Sequence, residues 1–387
     1  MEENVIFNAD KRMSALRLLK EMLDIPSVNG KDREQNVAAY VAEYLNKKGM
    51  EAMVRSIDET HGNLVAKLKG KSDDLILFNG HIDTVPYGDM REWDTDPAVC
   101  VEKDGKIYGR GTSDMKSGLA AMAFVLGEMA QSGMVPEKTI VLVGTCDEEK
   151  GGLGARAFLD ESPDLRPELL LIGEPTACRA GVAQKGCIWL ELSVSGKTSH
   201  GAEPWQGINA LEQGVQVLME LREELQKEVH PILGNSTLQI TMGNGGIAPN
   251  MTPDRAKFLA DIRIVPPITE NEVLTRLEVI MRRHCQACGS GLTFLPKVVN
   301  YRMPVETEEN DRWLLTLEGI LGEDARRIGI NYFTDASVFL TDWPGCPVLL
   351  FGPGEPKMCH KPNEYVKIDR YFEAIKVLEK FCGFIAK

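Results

Sequence analysis

Thr139-Ile-Val-Leu-Val-Gly-Thr-Cys-Asp-Glu-Glu-Lys-Gly-Gly152 decides the fold. Its first five residues form a continuous apolar run of strand length, which suits a strand buried on both faces. The run then ends in three adjacent carboxylates, Asp147, Glu148 and Glu149, followed by Gly151 and Gly152. Neighbouring acids repel one another and resist desolvation. Either water solvates them on a surface turn or a cation neutralises them in a site. Three similar runs recur: Leu75-Ile-Leu-Phe78, Leu169-Leu-Leu-Ile172 and Val348-Leu-Leu-Phe351. Helical apolar spacing lies between and before them, at Ser117 to Met129, Asp10 to Leu23 and Arg33 to Lys48, with Gly49 as a C-terminal cap. The pattern predicts an α/β domain with a mostly parallel central sheet.

The middle of the chain has a different rhythm. Ile188 to Val194 alternates, a helical run spans Asn209 to Val229, and Ser236 to Met242 and Ala256 to Ile264 read as strands. Glu272 to Ala287 reads as a helix and Leu292 to Val298 as a last strand. The order β-α-β-β-α-β predicts an inserted ferredoxin-like α+β domain. The boundaries that follow are residues 1–184 and 299–387 for the α/β domain and 185–298 for the insertion. An alternating strand on an open edge of the insertion suits pairing with a second subunit.

Bulk composition excludes several classes. A chain of 387 residues, 43% hydrophobic, can bury two cores. A net charge of -13 is a poor fit to nucleic acid or anionic lipid. The best candidate membrane run, Leu119 to Ala130, is broken by Gly127 and Glu128. Nine cysteines without a framework pattern point to a reducing, cytoplasmic setting.

Polar residues follow each apolar run at once. They are Asn79-Gly-His-Ile-Asp-Thr-Val-Pro86, Cys146 to Gly152, Gly173-Glu-Pro175, and Gly352 to Glu355 with Cys359-His-Lys-Pro-Asn-Glu364. Gly109-Arg-Gly-Thr-Ser-Asp-Met-Lys-Ser-Gly118 precedes a helix. Open α/β sheets place their sites at the carboxyl ends of strands. His81, Asp114, Glu148, Glu149, Glu174 and His360 are therefore expected to converge. Two imidazoles with several carboxylates suit a dinuclear site for zinc or a similar divalent ion.

These five segments, in this order over nearly the whole chain, resemble the zinc aminoacylase family of metallopeptidases. That family includes acetylornithine deacetylase, succinyl-diaminopimelate desuccinylase and related carboxypeptidases and dipeptidases. The resemblance implies two Zn2+ per chain, with cobalt or manganese suiting the same ligands. It implies that His81 and Glu174 bind one ion, Glu149 and His360 the other, and that Asp114 bridges both. It implies that Asp83 holds the second ring nitrogen of His81 and that Glu148 is the general acid/base for a water shared by the metals. Lys197-Thr-Ser-His-Gly201 resembles the family segment whose histidine reaches a partner subunit's site, so His200 would stabilise an oxyanion across a homodimer. Gly245 to Pro253 and Asp261-Ile-Arg263 also match, so Asn250 and Arg263 would hold a substrate carboxylate. Thr334 and Gly354 would shape the pocket. Thr334-Asp-Ala336 departs from the Gly-Thr-Ser-Asp-Gly form of the desuccinylase branch.

Plainer readings apply elsewhere. His61, His230 and His284 lack a matching context and read as structural. Cys285-Gln-Ala-Cys288 has no second pair and reads as helix packing. Cys146 and Cys359 flank the site without being expected ligands. Gly196-Lys-Thr198 lacks the earlier glycine of a phosphate loop, since position 191 is Glu191. The expected function is hydrolysis of the amide of a small N-acyl amino acid. A di- or tripeptidase or carboxypeptidase on the same scaffold is the alternative, and a non-catalytic metal-binding relative is a third reading.

Overall fold

The computed structural model describes residues 9–386. The chain divides into two units. One takes residues up to Val182, Thr307–Ile328 and those from Val338 onward; the other takes Ala183–Glu306 and Gly329–Ser337. The 329–337 segment, which carries Thr334, thus belongs with the second unit. The first unit resumes at Thr307, because the last strand of the second runs on to Arg302.

The first unit is built on a mixed, mostly parallel sheet. Its strands lie in the order Glu51–Ser56, Gly62–Leu68, Thr139–Thr145, Leu75–His81, Leu169–Ile172, Val348–Leu350 and Ala180–Gln184. The four apolar runs of the sequence are the four adjacent parallel strands, with Leu77 opposite both Val141 and Leu170, and Leu349 opposite Leu171. Ile76, Leu77, Phe78, Leu142 and Leu349 are fully buried. Each such side chain contributes about 1.5–3 kcal/mol of burial. Helix Lys116–Gln131 lies against strands Leu75–His81 and Thr139–Thr145, and helices Ala9–Leu23, Gln35–Lys47 and Ile368–Ile385 pack on it. All but three of its residues are buried. Parallel strands end on the same side, so His81, Asp147 to Glu149 and Glu174 emerge along one rim.

A small antiparallel sheet of Tyr365–Lys367, Lys106–Tyr108 and Val101–Lys103 flanks that rim. It carries Glu364 and the loop that leads to Asp114.

The second unit is a four-stranded antiparallel sheet in the order Thr237–Gly245, Arg255–Ile264, Gly186–Ser195, Thr293–Arg302. Helices Ala210–Leu225 and Glu270–Cys288 lie between the strands in sequence, which completes the β-α-β-β-α-β order. Strand Arg255–Ile264 alternates between buried and more exposed residues along its length. The Asn209 side chain caps one helix by accepting from Leu211 N and Glu212 N, and Thr269 with Glu272 forms a capping box on the other. The alternating strand Gly186–Ser195 is interior; the sheet edges are Thr237–Gly245 and Thr293–Arg302.

Candidate metal centre

The rim of the first unit brings together two imidazoles and several carboxylates. His81 ends its strand, paired with Thr145, and is 1% exposed. Its Nε2 lies 3.2 Å from Asp114 Oδ1. His360 Nε2 lies 3.4 Å from Asp114 Oδ2 and 2.9 Å from Glu149 Oε2. Asp114 thus offers one oxygen to each imidazole. Ligand atoms of His81, Asp114 and Glu149 all lie within 4.8 Å of one another, close enough to hold a metal ion. Glu174 is buried two residues beyond strand Leu169–Ile172, and Gly173 N donates to Asn79 O at 2.9 Å, beside the strand end that carries His81.

The electrostatics point the same way. Burial alone would pull His81 down, yet Asp114, Glu148 and Asp83 hold it well above its ordinary value. Hydrogen bonds donated by His360 to the carboxylates of Asp114 and Glu149 push it up to about 10. Burial raises Glu149, whose Oε1 has no hydrogen-bond partner. A buried, orphaned carboxylate oxygen among imidazoles and further acids is a donor set that fits a divalent cation.

The surrounding protein fixes these groups. Asp83, fully buried, accepts from Glu148 N at 3.2 Å and Glu149 N at 3.1 Å, and its Oδ1 lies 3.6 Å from His81 Nδ1. The closest contact of His81 Nδ1 is Asp83 O, at 3.0 Å. That bond places a proton on Nδ1 and leaves Nε2 turned toward Asp114. Asp147 heads a tight turn at φ +58°: its N donates to Glu34 Oε2, and its O accepts from Gly151 and Gly152. It is the hinge of the turn that presents Glu148 and Glu149. Glu148 is 9% exposed.

Several supporting residues carry no signal in the sequence. Fully buried Glu364 accepts from Ser113 N at 2.8 Å and Asp114 N at 3.0 Å, and takes Arg110 Nη1 at 2.8 Å. Burial pushes Glu364 up to about 7 against the pull of Arg110. Arg110 also donates to Lys361 O beside His360 and to Pro86 O, and lies over the Trp93 ring. Glu34 is pushed up to about 8 by burial and by Asp83. Glu364 ends the 359–364 stretch, but a clamp on amides 250 residues away leaves no local pattern. Gly354 abuts the Asp114 loop: a Cβ there would sit 2.2 Å from Ser113 O.

The remaining expected site residues lie in the second unit. His200 and Asn250 are exposed and adjacent, joined by the His200–Met251 bridge and by Gly201 N donating to Asn250 O at 2.7 Å. Arg263 forks onto Asp261, two residues earlier on the same strand face, at 2.8 and 3.0 Å, and lies over Phe333. Its charge therefore already has a carboxylate partner. Thr334 is buried and donates to Gln184 Oε1 at 2.7 Å. His61 pairs with Asp58, His230 with Glu306, and His284 with Gln213 and Glu220. Cys285 contacts Leu292 O, and all nine cysteines are free thiols.

With this geometry in view, the chain's kinship is clear. Residues 77–383 match the model of peptidase family M20/M25/M40, and the chain belongs to that family. It is a hydrolase of amide bonds. Among curated relatives it is 29% identical to a probable succinyl-diaminopimelate desuccinylase of Staphylococcus epidermidis, over 94% of this chain and 95% of that one. It is also 29% identical to the acetylornithine deacetylase of Pasteurella multocida, over 96% and 97%. Among solved structures, aminopeptidase PepT of Bacillus cereus superposes with a TM-score of 0.79 at 19% identity, over 97% of this chain and 99% of that one. No helix among the described residues is long and apolar enough to cross a membrane.

Proposed function

We propose that the protein is a dinuclear-zinc amidohydrolase that removes the acyl group from a small N-acyl amino acid. The observation that carries the reading is Asp114, whose two oxygens face His81 on one side and His360 with Glu149 on the other. A carboxylate so shared suits a bridge between two cations. His81, Asp114 and Glu174 would hold one ion, and Asp114, Glu149 and His360 the other. Histidine with carboxylate suits zinc, and cobalt or manganese fits the same donors. When bound, such a pair supplies Lewis acidity and a water of lowered pKa.

The chain's own groups do the rest. Asp83 and its carbonyl fix the tautomer of His81. Glu148 takes the proton of the attacking water and delivers it to the leaving nitrogen. His200 donates to the developing oxyanion from a partner subunit of a homodimer. Asn250 and Arg263 hold the substrate carboxylate, with Thr334 and Gly354 shaping the pocket. The second unit then serves as a dimerisation and lid domain. Nine unpaired cysteines support a cytoplasmic setting. The likeness in sequence to two deacylases over nearly full length supports the acyl substrate.

The test is a zinc-loaded hydrolysis panel of N-acetyl, N-formyl and N-succinyl amino acids beside unblocked dipeptides, reading the released amine. Cleavage mainly of the acylated set is expected. Cleavage mainly of the dipeptides moves the protein to the peptidase branch. Inactivity on both with two ions bound favours a non-catalytic relative. Glu148→Ala should lower kcat about 10²–10⁴-fold with both ions retained; near-normal turnover refutes its role.

A further inference from the structure

Asp83 and Asp147 sit behind the candidate centre and do different jobs. Asp83 braces His81 and receives the amides of Glu148 and Glu149; Asp147 heads the turn from which those two glutamates project. Two carboxylates this close repel unless something joins them. Asn29 does so. Its Nδ2 gives one hydrogen to Asp83 Oδ2 at 3.1 Å and the other to Asp147 Oδ1 at 3.0 Å.

Asn29 is held for this task by its backbone. The stretch Ser27 to Asn29 runs beside the end of the His81 segment. Thr84 N donates to Ser27 O at 2.9 Å, Val28 forms a parallel bridge with Thr84, and Asn29 N donates to Thr84 O at 2.8 Å. The side chain is therefore registered against Asp83 before it reaches Asp147. The chemistry of the amide matters. It has two donors and no charge, so it can join two acids without neutralising either. An aspartate of the same shape would add a third carboxylate, and a lysine would draw negative charge away from His81.

We propose that Asn29 is a positioning residue for the amide hydrolysis: it fixes the spacing between the His81 side of the centre and the turn that presents Glu148 and Glu149. The inference rests on the metal-centre reading above. It places Asn29 neither on the ions nor on the substrate, and its effect passes through Asp83 and Asp147. Metal affinity and kcat should then respond to its donors, while KM should not.

The experiment compares full-length wild type with Asn29→Leu, Asn29→Asp and Asn29→Gln. Zinc affinity is read by competition with a chromophoric chelator, kcat and KM on the best substrate of the panel, and stability from urea unfolding of the metal-free proteins. Asn29→Leu keeps the approximate shape without donors and should weaken zinc binding about 10-fold, with kcat lowered and KM unchanged. Asn29→Asp should be at least as weak. Asn29→Gln keeps both donors and should recover affinity toward wild type. Zinc affinity in Asn29→Leu equal to wild type overturns the inference, as does Asn29→Gln no better than Asn29→Leu. Losses of affinity that only track losses of metal-free stability across the three variants also overturn it. A wild-type protein that binds no zinc overturns the metal-centre reading itself, an outcome distinct from any of these.

Discussion

Replacing Gly118 by alanine should destabilise this protein, against the usual rule for helices. Gly118 lies in the first turn of helix Lys116–Gln131, where alanine ordinarily contributes up to about 1 kcal/mol over glycine. A Cβ at this position would stand 1.8 Å from Gly173 O, 2.7 Å from Gly173 C and 3.0 Å from its Cα. These are backbone atoms at the end of a buried strand, so no side chain can rotate away. Ordinary contact needs about 3.5 Å, and the helix and strand end must part by roughly 1.7 Å. Overpacking of this kind costs about 1–3 kcal/mol or more. A net loss of about 2 kcal/mol is therefore expected by urea unfolding. The same displacement moves Asp114, four residues before Gly118, relative to Glu174, next to Gly173, so zinc affinity should fall about 10-fold as well. Gly319, in helix Arg312–Leu321, is the matched control: nothing lies within 4 Å of its Cβ position. Gly319→Ala should raise stability by about 0.5–1 kcal/mol and leave zinc binding alone. A Gly118→Ala protein as stable as wild type, with undiminished zinc affinity, would refute the close-packing argument.

Other expectations concern buried charge. Glu364→Ala leaves Arg110 buried without its carboxylate and the amides of Ser113 and Asp114 without their acceptor; a loss of about 3–5 kcal/mol by denaturant titration is expected, with weaker zinc binding. Glu379, in helix Ile368–Ile385, is pushed up to about 7 by burial, and its Oε1 has no partner. Between its ordinary value and about 7 the folded state binds more protons than the unfolded, so stability falls as pH rises through that window. At about 1.4 kcal/mol per pH unit the ceiling is about 3 kcal/mol, and solvent screening leaves an expected 1–2 kcal/mol, roughly. Glu379→Gln should match wild type near pH 4.5 and exceed it by that amount at pH 8, measured as the difference in urea midpoints. An unchanged difference across the range removes Glu379 as a source of pH dependence. Asp261→Ala frees the guanidinium of Arg263. If Arg263 binds the substrate carboxylate, KM should change with kcat little altered; an unchanged KM assigns Arg263 to its strand alone.

The parallel core was legible because four strands buried on both faces must be written in apolar residues, and Leu75 to Phe78 or Val348 to Phe351 admit little else. The clustering of His81, Asp114 and Glu149 was legible because polar residues stand directly after the buried strands. What stayed hidden depends on pairing over distance. Nothing local marks Glu364 as the acceptor for the Asp114 amide, Asn29 as the link between Asp83 and Asp147, or segment 329–337 as part of the second unit. The Asp261–Arg263 pair is a different case. Period-two spacing on one strand puts both on one face, and the sequence alone contained that clue.

The place of strand Val348–Leu350 has a consequence for how the protein is made. It lies between Leu169–Ile172 and Ala180–Gln184, strands that leave the ribosome far earlier. Until residue 350 emerges, the nascent sheet has a missing slat, with unpaired backbone on an apolar edge. At about 5–20 residues per second, that gap stays open for on the order of 10 s or more. The same late segment brings Glu364 to the Asp114 amide, 250 residues upstream. Closure of the sheet and completion of the brace behind the candidate metal centre thus both wait for residues 348–364.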